Sequence, residues 1–167
     1  MEYILVIEGQ VGQLKNGSKE IRKKIRLGKL DEAYRLTAQY PNDLIIMSQR
    51  CTILIKQGRL EEAKIIGKQF EDDPIIQSQM VTIAIQEGDI ERANAIGAKF
   101  ESNEAIQSQM ITIAIQEGRL EDAKAIGEKF QDNPMIQNQM ITIAIQEGRL
   151  EEAKAIGARF KKYEPIQ

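Results

Sequence analysis

Apolar residues in the second half of the chain recur with helical rather than strand spacing. From Pro134 onward, Ile136, Met140, Ile141, Ile143, Ala144 and Ile145 fall on an arc of roughly 200° when residues are set at 100° intervals. So wide an arc predicts a first helix contacted on two sides. A second helix follows with a narrower stripe, Leu150, Ala153, Ile156, Gly157 and Phe160, in which Ala153 and Gly157 would allow close helix approach. Asp73-Pro74 and Asn133-Pro134 place a side-chain acceptor at the N-cap and a proline at the first helical position, and Asp43 and Asn103 hold the same N-cap place. The first helix then runs about 14 residues from Pro134 to Gly148, a glycine suited to a left-handed position past the helix end. Glu151 and Glu152 early in the second helix, and Lys154 and Arg159 later, match its dipole.

This two-helix pattern is repeated. The stretch from Ile106 recurs from Ile136 with 21 of 30 positions identical and from Ile76 with 20, and the unit from Ile46 shares 13 with its successor. A more divergent unit from Asn16 keeps Gly28 to Ala33 in register with Gly58 to Ala63. The chain therefore divides into an N-terminal segment 1–15, five units (16–45, 46–75, 76–105, 106–135, 136–165) and a sixth begun at 166–167. An uninterrupted period of this length predicts an all-α solenoid of αα-hairpins with the first helix of each innermost. In segment 1–15, Ile4, Ile7, Val11 and Leu14 suit a helix ending at Asn16-Gly17, with Ser18 capping the next one. The run Tyr3 to Ile7 and two glycines leave a strand or an oligomer contact open.

Gly118-Arg119-Leu120-Glu121-Asp122-Ala123, and again Gly148 through Ala153, resemble the tetratricopeptide (TPR) repeat. That family has a glycine closing the first helix, an alanine five residues on, and a proline near the unit's end, the place of Pro74 and Pro134 here. The resemblance covers about 150 residues, with a period of 30 instead of 34 and without the family's large aromatic near the start of the first helix. It implies a right-handed superhelix whose concave face, lined by first helices, binds peptides or proteins.

The remaining arc of each first helix is polar and uncharged in most units. Gln49, Thr52 and Lys56, then Gln79, Thr82 and Gln86, Gln109, Thr112 and Gln116, and Gln139, Thr142 and Gln146 share one set of slots. Stacked, they form a ladder of amides and hydroxyls. Both groups donate and accept, so the row suits an extended peptide backbone; equally, the amides could bond across units and stiffen the stack. Reading single-stranded RNA with such residues ranks below, because the array lacks phosphate-neutralising cations and stacking aromatics.

Charge changes the picture at one place. Residues 15–35 carry net +5, including Lys19, Arg22, Lys23, Lys24 and Arg26, against −2 for residues 1–14 and −5 for 36–167. A docking patch for an acidic partner or a nucleic-acid end is one expectation. The other is a polar cap, since Asn16, Glu20, Lys23 and Lys24 stand where inner units have Ile, Met, Ile and Ala. At the other end Ile141 and Ile145 stay apolar, which makes end-to-end self-association, or service as an assembly module, the alternative role.

With His 0, Trp 0 and Cys 1, the chain has no imidazole base and no paired-cysteine chemistry. Cys51 shares its slot with Val81, Ile111 and Ile141 and reads as a buried apolar residue. No catalytic residues, metal or cofactor are expected. The net charge of −2, the missing apolar span and the unpaired cysteine point to a cytoplasmic protein-binding scaffold without membrane partners.

Overall fold

The computed structural model describes the backbone of residues 2–160 and the side chains of residues 12–160. Every regular element among them is an α-helix: α1 (Glu2–Arg26), α2 (Leu30–Thr37), α3 (Leu44–Lys56), α4 (Leu60–Gln69), α5 (Pro74–Glu87), α6 (Ile90–Lys99), α7 (Glu104–Gln116), α8 (Leu120–Lys129), α9 (Pro134–Gln146) and α10 (Leu150–Phe160). Odd-numbered helices are the first helices of the repeat, even-numbered ones the second. The side chains of Ile4, Ile7 and Val11, and the sixth unit's beginning at Pro165-Ile166-Gln167, lie outside the described residues.

The chain forms two compact units, residues 1–83 and 84–167, the division falling inside α5. In the first, α1 packs on α2 and α3, and α3 on α2 and α4. Ile21, Ala33, Ile46 and Ile53 are buried there, with Leu14, Tyr34 and Tyr40 against them. In the second, α7 packs on α6, α8 and α9, and α9 on α8 and α10. Its core holds Ile111, Ala114, Ala123, Ile136, Met140, Ile143 and Ile156.

The local chemistry explains the helix ends. Asp43, Asp73, Asn103 and Asn133 each accept a bond from the backbone N–H three residues on, at 2.9–3.0 Å, satisfying a donor that the helix leaves orphaned. Gly58, Gly118 and Gly148 sit at φ 71–73°, where a Cβ is penalised. At the last, Arg149 N–H donates to Ala144 O (2.8 Å) and Gly148 N–H to Ile145 O (3.0 Å), the Schellman pattern that ends a helix and turns the chain at once.

Three expectations differ from what is observed. Helix α1 runs unbroken through Asn16-Gly17 instead of ending there. A mid-helix glycine costs about 1 kcal/mol relative to alanine, but here it makes room for a neighbour: a Cβ on Gly17 would lie 2.9 Å from the Tyr40 ring. Leu150, placed in the buried stripe of the second helix, is 55% exposed, and Ile145, placed in the apolar arc, is 53% exposed. Among the described residues no further first helix lies beyond α9 to cover these two; Leu120 and Ile115, one repeat earlier, are half-buried.

Candidate functional site

The predicted ladder lies on the first helices, and its donors are taken up inside the protein. Gln79 Nε2 donates to Ser48 O (2.9 Å) and Thr52 Oγ1 (2.7 Å), and Gln139 Nε2 donates to Ser108 O and Thr112 Oγ1 (both 3.0 Å). Gln49 Nε2 reaches Ser18 Oγ at 2.7 Å. The hydroxyls of Thr52, Thr82, Thr112 and Thr142 donate to the carbonyl four residues back on their own helix. The Gln49, Gln79 and Gln139 rungs thus each tie one first helix to the one before it. What remains toward solvent is the end of each rung: Lys56, Gln86, Gln116 and Gln146 are exposed, Thr112 and Thr142 exposed, Thr52 and Thr82 half-buried. Two acceptors, Gln49 Oε1 and Gln79 Oε1, are buried without a donor, an arrangement uncommon in folded proteins.

Sequence reasoning missed a second amide in three of the repeats. Gln77, Gln107 and Gln137 are buried next to the ladder. Each donates Nε2 to a carbonyl near the end of the preceding second helix: Gly67, Gly97 and Gly127 O at 2.8–2.9 Å, and Phe70, Phe100 and Phe130 O at 3.1–3.2 Å. These bonds add a donor at the end of each preceding second helix, where Gly127 O also accepts from Phe130 N–H, and Phe70, Phe100 and Phe130 O from the N–H of Asp73, Asn103 and Asn133. The signal was available: an uncharged amide at one slot in three consecutive units, on the face otherwise filled by Ile and Met.

The basic patch and the ladder meet in one place. Asn16, Lys19, Arg22, Lys23 and Arg26 of α1 and Gln49 and Thr52 of α3 line a groove of about 1000 Å³. Counting back one period, Lys19, Arg22 and Arg26 occupy the slots of Gln49, Thr52 and Lys56, so they are the ladder's own first rung. Lys24 stands apart, half-buried with Nζ 2.7 Å from Glu32 and 3.5 Å from Glu20. The hydrogen bond to Glu32 raises the Lys24 pKa and lowers that of Glu32. Lys19, Lys23 and Arg26 are exposed and hold no ion pair among the described residues.

Cys51 is fully buried, and burial pushes its thiol up to about 12, as suits an apolar core position. Ile141 is half-buried where Ile111 one repeat earlier is fully enclosed, so Ile141 and Ile145 form an apolar edge on α9 among the described residues. No described helix is long and apolar enough to cross a membrane.

No protein-family model matches the chain, and no curated protein matches it in sequence.

Proposed function

We propose that this chain is a non-enzymatic interaction scaffold, a TPR-like solenoid of αα-hairpins that holds an extended peptide segment of a partner protein against its first helices. The observation that carries this reading is the groove between α1 and α3, which is wide enough for a peptide and continues the ladder face at Gln49 and Thr52. The rungs supply rigidity, because the amide donors bond between first helices and fix the spacing of whatever the face presents.

A selection of peptides from a random library against the intact chain tests the reading. The expected outcome is that selected peptides bind wild type and lose affinity when Thr52 and Thr82 are changed to Glu, with the helical circular dichroism unchanged. Peptides that bind both forms equally would sink the assignment to this face. The apolar edge at Ile141 and Ile145 favours a second reading, end-to-end association of two copies. Light scattering would show its concentration-dependent mass lost in Ile145→Asp, and a constant monomer mass in wild type would remove it.

A further inference from the structure

The proposed peptide face is not uniform along its length. Its α1 rung is cationic, with Lys19, Arg22 and Arg26 in the slots that α3 fills with Gln49, Thr52 and Lys56. If these residues only capped the array, any polar side chains would serve, and the same face in later units manages with Gln and Thr. Instead three cations follow one another along one side of α1, and of the groove's acidic side chains Glu20 already lies beside Lys24. Lys19 and Arg26 are two helical turns apart, about 10 Å along the axis. That spread fits several carboxylates in sequence better than one terminal carboxylate.

We infer that this groove binds an extended acidic segment of a partner protein, its internal Glu or Asp carboxylates over Lys19, Arg22 and Arg26. The inference rests on the peptide-binding reading of the first-helix face. A nucleic-acid strand matches the cations but finds no aromatic side chain in the groove on which to stack a base.

Fluorescence anisotropy on the full chain decides the matter. The probes are a labelled, C-terminally amidated peptide of alternating Glu and Ser, which places every carboxylate on one side of an extended strand, its Gln-for-Glu counterpart, the Glu peptide with a free C-terminus, and a single-stranded RNA oligonucleotide. The amidated Glu peptide should bind, more weakly as salt is added. Arg22→Glu with Arg26→Glu should weaken it by about tenfold at unchanged helical circular dichroism, and Lys154→Glu should leave it unaltered. Should the double reversal fail to fold, Arg22→Gln with Arg26→Gln serves instead, with a smaller loss in the same direction. Equal binding of Glu and Gln peptides overturns the acidic preference while leaving the peptide face standing, whereas failure of both peptides removes the face as well. Binding that requires the free C-terminus overturns the internal run of carboxylates, and binding of the RNA alone transfers the groove to nucleic acid.

Discussion

Gly97 and Gly127 each face a methionine of the following first helix, and the place where a Cβ would stand is already filled by Met110 or Met140 sulfur; Gly67 and Met80 make the same pair in the first unit. Adding a methyl group to Gly127 therefore forces the Met140 side chain off its position, a cost of about 1–3 kcal/mol for overpacking. Truncating Met140 to Ala leaves a cavity instead, at about 2–5 kcal/mol. The expected result for the pair is compensation: Gly127→Ala with Met140→Ala is less destabilised in urea titrations than the two single changes added together. Simple additivity would show that the two residues do not share the space. The chain contains its own variant of this pair, since one period before Gly67 and Met80 stand Thr37 and Arg50. With a branched side chain at the small position, the long residue turns elsewhere. Arg50 Nη2 donates to Tyr34 Oη at 2.7 Å, its guanidinium 4.6 Å from the ring centroid, while Arg59 lies 4.4 Å from the same ring.

Ion pairs within helices and between neighbouring ones make the elements sensitive to acid. Glu32 beside Lys24, Glu62 beside Arg59, and Glu147 beside Lys124 and Arg149 are all held below the ordinary carboxylate range by those hydrogen bonds. A carboxylate whose folded pKa is depressed contributes stability above its unfolded pKa and loses it as pH falls through the folded value. Thermal melts should thus be flat near neutrality and decline below about pH 4, and Glu147→Gln should remove part of that decline. These groups are exposed, so the effect is small and shrinks further in salt. An acid limb identical in wild type and Glu147→Gln would show that the pairs with Lys124 and Arg149 contribute nothing.

Helix ends were the part of the fold most legible from the amino acids, because Asp43, Asn103, Asn133 and Gly148 act on their own few neighbours and their effect repeats at each period. Continuity of α1 through Gly17 was not legible. Its cause is Tyr40, more than twenty residues away, and a local signal for a turn lost to a tertiary contact. The candidate site was half legible. Ladder slots followed from the period, but whether Gln79 Nε2 points to Thr52 or to solvent depends on how closely the helices stand, which composition does not encode. The kinship of Lys19, Arg22 and Arg26 with the ladder was open to simple counting, and was obscured because the divergent first unit drew attention to its Asn16, Glu20, Lys23 and Lys24 slots instead.

Within each compact unit, the observed packing joins helices one or two apart along the chain. If stability is a sum over such neighbours, a second copy of residues 106–135 inserted between 135 and 136 should raise the melting temperature without lowering helicity per residue. Circular dichroism of the lengthened chain checks this, and a lower melting temperature would count against neighbour-additive stability. The glycine and methionine pairs give the same idea a bearing on how such a chain changes over time. A gene segment lost or duplicated in whole multiples of the period, anywhere downstream of residue 75, leaves every small residue opposite a long one, as at Gly97 with Met110 and Gly127 with Met140. A join made after residue 45 would bring Thr37 against a methionine. Length is therefore free to vary downstream of residue 75 and is held fixed upstream of it, where the basic groove lies.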